Sequence, residues 1–379
     1  MKILIAPDKF KHSLNSFEAC TAIQNGLMQA SEKFKIKILP LADGGDGLSE
    51  IINYYIPSKT HSVRISDPLF RAVKSSLLIS DDGQTAFIEM AKASGLLLLN
   101  PEEYDCMNTS TVGTGELIKE AILLNVKKIV IGIGGSATND CGTGMATALG
   151  YRFLDKNGNE LKPTGKNLLL IEHINSSEII DLKNIKFEIA CDVKNPLTGK
   201  NGAARIYAKQ KGATELEIEE LEAGMIHFNE IMKKHFGKDI SRIEGSGAAG
   251  GLAAGCIAFL NTNLTSGIDL VMNLSNAEFH INEADLVITG EGSIDDQSLN
   301  GKVISGLGEL CKKLKKPLIA FCGKLNLTGD QMRQLNISSA YSIKGDETSL
   351  EEACKNAWDL LSNKAYETGI QLINHQSIS

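Results

Sequence analysis

Aromatic residues are scarce in this chain of 379 residues, at 5%. A surface that stacks bases needs a row of them, so nucleic acid is not an expected partner. The charge balance agrees. With 39 basic and 46 acidic residues, the net charge of −7 gives no basic field for a phosphate backbone, although a local basic pocket for a small anion remains compatible. No run of about 18 apolar residues is present to span a membrane. The eight cysteines, Cys20, Cys106, Cys141, Cys191, Cys256, Cys311, Cys322 and Cys354, contain no C-x-x-C pair, and the seven histidines form no H-E-x-x-H. A zinc site and a redox dithiol therefore lack support. There is no G-x-x-x-x-G-K-[ST], which excludes a P-loop enzyme. The chain starts on an apolar strand pattern, Lys2 to Ala6, without a signal h-region, and the expected compartment is a reducing cytoplasm.

The hydrophobic content of 42% supports a sizeable core, and 379 residues exceed one usual domain. Residues 1–62 read as strand, helix, strand, with Asn15 and Glu18 forming a capping-box pattern. From about residue 63 the texture changes: 73–79 and 85–90 flank Asp81-Asp82-Gly83 as an antiparallel hairpin. Residues 214–236 read as a charged amphipathic helix. From about 283 the α/β rhythm returns, with strands at 284–289, 317–321 and 339–343, and helices at about 301–313 and 350–361. Neither end supplies enough strands for a sheet alone. The expectation is a doubly wound domain built from both ends, 1–62 and 283–379, with a mixed α/β domain inserted at 63–282 and the active site in the cleft between them.

The chain is organised around residues 127–150. Lys127 to Ile133 read as a buried strand, Gly134 to Gly142 as a glycine loop, and Gly144 to Leu149 as a short helix. That layout aims backbone N–H groups and a helix N-terminus at an anion. Glycines without a ligand would serve a tight turn equally well. Gly245-x-Gly247-x-x-Gly250 matches a dinucleotide fingerprint, and Gly132-x-Gly134-x-x-Ala137 nearly does. A dinucleotide-dependent oxidoreductase is therefore one alternative function, and a non-catalytic two-domain small-molecule sensor another. Asp8, Asp43, Asp46, Asp140, Asp192, Glu291, Asp295 and Asp296 all fall in loops at strand ends. Each alone reads as an Asx-turn or cap. Together with Lys9 and Lys11 they supply what phosphoryl transfer needs: cations for phosphates, a carboxylate for Mg²⁺, and a carboxylate for the attacking hydroxyl.

Six ordered segments resemble the bacterial glycerate kinase family, over the whole chain: 6–14, 42–47, 131–139, 191–197, 245–252, and Gly290-Glu291-Gly292 with Asp295, Gln297 and Gly301-Lys302. The family usually has Gly where His12 stands and Arg where Ser293 stands, and often Glu at Asp46 and Gly at Cys141. The resemblance implies a flavodoxin-like domain paired with a second α/β domain. It implies ATP- and Mg²⁺-dependent phosphorylation of D-glycerate at the 2-hydroxyl. On that basis Asp192 is the base, assisted by Asp8, Lys9 and Lys11, and Glu291 or Asp46 holds the metal. Ser13, Asp43, Gly44, Gly45, Gly134, Gly135, Ser136, Asn139, Asn195, Gly247, Asp295 and Gln297 then contact substrate or phosphate. The expected partners are D-glycerate and ATP, and a homodimer is allowed.

Overall fold

The computed structural model describes residues 1–42, 48–299, 303–345 and 349–376, without the side chains of Gln297, His375 and Gln376. Asp43, Gly44, Gly45 and Asp46, four of the site candidates, lie outside the described residues. By its internal contacts the chain divides into two compact units, Met1–Asp43 with Ile268–Ser379, and Gly44–Gly267. The strands in chain order are β1 (Lys2–Ile5), β2 (Lys35–Ile38), β3 (Ser58–Ser66), β4 (Ala72–Ser80), β5 (Thr85–Glu89), β6 (Lys128–Gly132), β7 (Arg152–Leu154), β8 (His173–Asn175), β9 (Lys186–Ala190), β10 (Leu264–Thr265), β11 (Leu286–Ile294), β12 (Leu318–Leu325) and β13 (Ile337–Ser342).

The first unit holds a parallel five-stranded sheet in the order β13-β12-β11-β1-β2. Counted within the unit this is 2-1-3-4-5, the flavodoxin-like order, and the direction of winding reverses between β1 and β11. Ile3 and Ile5 share a core cluster with Ala19, Ile23 and Leu27 of the helix Ser16–Ala30, while Leu4 between them is equally buried. Burial on both faces is why these strands read as unbroken apolar runs. The helix Ser16–Ala30 starts with the expected Asn15/Glu18 capping box. It packs along the helix Ala357–Gln376, so the last helical segment runs well beyond the expected 361.

The second unit is a mixed sheet in the order β10-β9-β6-β5-β4-β3, with a small β7-β8 pair. The β4-β5 hairpin is present, Leu78 facing Phe87. The helix Glu215–Phe236 is closed by a Thr214/Glu217 capping box and by Gly237 at φ +71, and it buries Leu221, Met225 and Phe228 in the unit's core.

Two expectations change. The boundary placed at 62/63 cuts through β3, which pairs with β4 along its whole length from Ser58 to Ser66. The one placed at 282/283 falls inside the helix Ala277–Glu283, which packs on β1 and on the helix Val303–Leu314. The units divide at 43/44 and 267/268 instead. Glu291 does not lie in a loop either. β11 continues through Gly290-Glu291-Gly292-Ser293, paired with Cys322 and Lys324 of β12, because a strand rich in glycine still completes its ladder where a neighbouring strand offers one.

Candidate functional site

In the first unit the chain leaves β1 through Pro7-Asp8-Lys9 and stays paired to β11, the Asp8 N–H donating to the Gly290 carbonyl at 2.9 Å. It then closes a tight loop: Phe10 N–H donates to the Leu14 carbonyl at 2.8 Å and Leu14 N–H returns to Phe10 at 2.9 Å. Phe10 is buried under the loop. A Cβ on Gly292 would stand 3.0 Å from the Lys11 nitrogen, so glycine there lets the loop lie on the strand. His12, at the loop's tip, holds φ +66. That left-handed backbone strains any residue with a Cβ, more so a β-branched one. His12→Gly is expected to leave stability within about 0.5 kcal/mol of wild type, relief of strain offsetting the added freedom of the unfolded chain. His12→Val should cost roughly 1–2 kcal/mol. Urea unfolding of the pair checks this, and equal stabilities would mean that the left-handed turn is not kept in solution.

A cavity of about 360 Å³ lies at the carboxyl ends of β1, β11, β12 and β13. Such crevices, beside the reversal in strand order, are where doubly wound sheets bind ligands. Asp8, Lys9, Lys11 and Ser13 line it from the loop, Glu291, Ser293 and Asp295 from β11 and its continuation, and Lys344 and Leu350 from beyond β13. Asp8 is buried, and its Oδ1 accepts from the Lys9 N–H at 2.7 Å. Glu291 is buried and accepts from the hydroxyl of Ser298, which takes the Asp295 N–H in turn at 3.3 Å. Asp295 also accepts from Ser293 Oγ at 3.1 Å, the place where the family's arginine would stand. The Ser13 hydroxyl donates to the Phe10 carbonyl at 2.9 Å, so toward a ligand it can only accept. Burial, helped by the charge of Glu291, pushes the Cys322 thiol up to about 12, so that thiol stays neutral. Lys344 and Ser298 were not singled out from the sequence. Lys344 could have been found as a basic residue just past a strand at the ligand-binding edge.

In the second unit the loop after β6 carries Gly134 and Ser136 partly exposed, Gly135 exposed, and Thr138, Asn139 and Asp140 fully buried. Asp140 replaces the external anion that the sequence layout led one to expect. Its Oδ1 takes the Gly142 N–H at 3.1 Å; its Oδ2 takes the Gly144 N–H at 3.1 Å, the Thr111 N–H and Oγ1 at 2.8 Å each, and Ser110 Oγ at 3.4 Å. The start of the short helix Thr143–Ala148 is thus occupied by the chain's own carboxylate. Burial pushes the Asp140 pKa up, while the Thr111 and glycine donors pull it back. The dinucleotide fingerprint at Gly245–Gly250 follows no strand. Gly250, at φ +63, has no room for a Cβ beside the Thr138 carbonyl, so this segment backs the glycine loop. Gly247 is pressed against Pro196 in the same way, and its N–H donates to the Asn195 carbonyl at 2.9 Å. The Asn195 side chain donates to the Asn201 carbonyl at 2.9 Å and accepts from Tyr207 at 2.6 Å. Both residues serve the loops' own architecture. Asp192, half-buried, accepts at Oδ1 from the Gly267 N–H at 2.8 Å and from Ser266 Oγ at 3.3 Å.

Sequence reading missed Lys211. It sits in a Lys-Gln-Lys-Gly turn that resembles a solvated surface, yet it is buried. Its ammonium donates to Ser136 Oγ at 2.6 Å, to the Thr138 carbonyl at 2.8 Å and to Asn139 Oδ1 at 3.2 Å. Burial lowers its pKa to about 8, against the opposing pull of Cys106 and Asp140; burial also pushes the Cys106 thiol up to about 11. The unfolded chain holds the Lys211 proton up to about 10.5, the folded one only to about 8. The penalty for burying the charge is therefore complete below pH 8 and disappears as pH rises toward 10.5. Wild type should gain about 3 kcal/mol relative to Lys211→Met over that window. Urea unfolding of both proteins at pH 7.5 and 10 checks this, and a constant difference would mean an ordinary ammonium.

Among the described residues no helix is long and apolar enough to cross a membrane. The glycerate kinase family matches residues 3–373. A glycerate 2-kinase of Escherichia coli (strain K12) is 43% identical over 360 residues, 95% of this chain and 94% of its own. A glycerate kinase of Halalkalibacterium halodurans is 40% identical over 364 residues, 96% of each chain. A crystal structure of a Salmonella typhimurium LT2 protein described as a glycerate kinase 2 superposes with a TM-score of 0.86 at 38% identity, covering 100% of this chain and 99% of that one. The chain therefore belongs to the glycerate kinase family and is a kinase.

Proposed function

We propose that the enzyme transfers the terminal phosphoryl group of ATP to the 2-hydroxyl of D-glycerate, with Mg²⁺, in the cytoplasm. The observation that carries this reading is the cavity beside the β1/β11 reversal, where Lys9, Lys11 and Lys344 face Asp8, Glu291 and Asp295. Cations and carboxylates around one crevice are the parts that position a polyphosphate and its metal. The 2-position is supported by the name of the Escherichia coli relative. Lys9 and Lys11 neutralise phosphate or the glycerate carboxylate. Asp192 orients and deprotonates the hydroxyl, and the donors on its Oδ1 fix its rotamer for that task. Gly134, Gly135 and Ser136 contact the substrates from the glycine loop.

Mg²⁺ prefers hard oxygen ligands and completes its shell with phosphate oxygens and water around one or two protein carboxylates. Asp8 and Glu291, both buried at the cavity, fit that demand, and Glu291 would hold the ion. Among the described residues no three His, Cys, Asp or Glu side chains form a ready-made cage, and an ion shared with phosphate requires none. When bound, Mg²⁺ offsets the charge of the phosphate oxygens.

The test is ADP release from ATP and Mg²⁺ with and without D-glycerate, with the product identified by phosphorus NMR. Glycerate-dependent release of 2-phosphoglycerate is expected. A 3-phosphoglycerate product would overturn the position, and no glycerate-dependent release from folded protein would overturn the substrate.

A further inference from the structure

The glycine loop after β6 lies against a buried cation, Lys211, that no ion pair neutralises. Among the described residues no carboxylate lies within ion-pairing distance of Lys211, and all three of its hydrogen-bond acceptors are neutral oxygens. A buried ammonium without a direct ion-pair partner is costly, and it attracts an anion. The same three bonds orient the loop. Ser136 Oγ accepts from Lys211, so its own hydrogen is free to point elsewhere, and Ser136 is partly exposed. Asn139 Oδ1 also accepts from Lys211, which assigns the amide and turns Nδ2 away from the ammonium. Asn139 Nδ2 and Thr138 Oγ1 are fully buried with no hydrogen-bond partner among the described residues. Orphaned polar atoms beside a buried charge without an ion pair are independent signs that the site is completed by something else.

We propose that Ser136 and Asn139, held and charged by Lys211, form the seat of one anionic oxygen group of the substrates, a carboxylate or a phosphate. The proposal rests on the reading of the enzyme as a kinase of glycerate. Ser136 touches the anion. Lys211 is a positioning residue, which presents the hydroxyl and amide as donors and supplies positive charge from behind them. The low pKa of Lys211 adds a signature. At pH 8.5 part of the Lys211 population is neutral, so a bound anion draws a proton onto it, acting in the same direction as Cys106 and Asp140, the groups whose charges raise its pKa.

The experiment is calorimetric titration of wild type, Ser136→Ala and Lys211→Met with D-glycerate, with ATP, and with inorganic phosphate, in two buffers of different ionisation heat at pH 8.5. Both variants should weaken one substrate about tenfold or more and leave the other within about twofold. Loss of D-glycerate affinity assigns the carboxylate, and loss of ATP affinity together with phosphate assigns the phosphoryl group. Wild type should take up protons on binding, and Lys211→Met should not. A merely structural lysine would weaken both substrates alike and abolish no proton uptake. Should Lys211→Met fail to fold, Ser136→Ala decides alone, because its hydroxyl is partly exposed. Unchanged affinities in a folded Ser136→Ala overturn the proposal. If wild type binds neither D-glycerate nor ATP, the functional reading fails instead, and phosphate binding by wild type against Ser136→Ala still tests the anion seat.

Discussion

Asp192→Asn should lower kcat by a hundredfold or more while the protein stays folded. The size follows from general-base catalysis, which typically contributes two to four powers of ten. The folded state is expected to survive because the asparagine side chain keeps an oxygen in the place of Oδ1. It can therefore still accept from the Gly267 N–H, 2.8 Å away in wild type, and from Ser266 Oγ at 3.3 Å. What it loses is the charge and the ability to take a proton. Asp192→Ala separates the two jobs: it removes the acceptor as well and should cost about 1 kcal/mol of stability on top of the same loss of kcat. Initial rates of ADP formation beside a thermal melt make the comparison. An Asp192→Asn enzyme that melts normally and keeps more than a tenth of wild-type kcat would leave Asp192 as a local hydrogen-bond acceptor and nothing more.

The residues that the sequence discloses best are those whose environment leaves a pattern along the chain. β1 and β11 are buried on both faces, so Ile3-Leu4-Ile5 and Leu286-Val287-Ile288 stand out as apolar runs. The Asn15/Glu18 box marks its helix start because capping is local chemistry. β3 stayed hidden: it is an edge strand with Lys59, Thr60 and Arg64 exposed or half-exposed, and its pattern is diluted by polar residues on the wet face. The strand character of Glu291 depends on a ladder with Cys322 that only the fold supplies. His12 and Cys141, where the resembling family has glycine, sit at φ +66 and +52; the glycines report a backbone requirement that this chain meets under strain. Lys211 could not have been found from its neighbours. Its burial arises from the meeting of two segments some 70 residues apart, Ser136–Asn139 and the turn that carries it.

Asp140→Ala is the substitution expected to damage the fold most. Asp140 is fully buried and gathers donors from two segments, Ser110-Thr111 and the start of the helix Thr143–Ala148. Removing the carboxylate leaves the N–H groups of Thr111, Gly142 and Gly144 without that acceptor in a dry site. Each buried orphan costs roughly 1–3 kcal/mol, so a loss of about 4 kcal/mol is a moderate expectation. For a unit of this size that corresponds to a fall in Tm of roughly 8–16 °C. Asp140→Asn is the informative partner. It nearly preserves volume and one acceptor oxygen, but sets an NH₂ group against N–H donors, so it should lose a large part of the same stability without opening a cavity. Activity should fall in both, because Thr138 and Asn139 immediately precede the anchor and carry the groups that meet Lys211. Calorimetric melting of the two variants beside wild type settles the cause. A loss well under 1 kcal/mol in Asp140→Ala would mean that water enters and satisfies the glycine amides. The start of that short helix would then be an open anion site after all, and added phosphate or sulfate should raise the Tm of Asp140→Ala more than that of wild type.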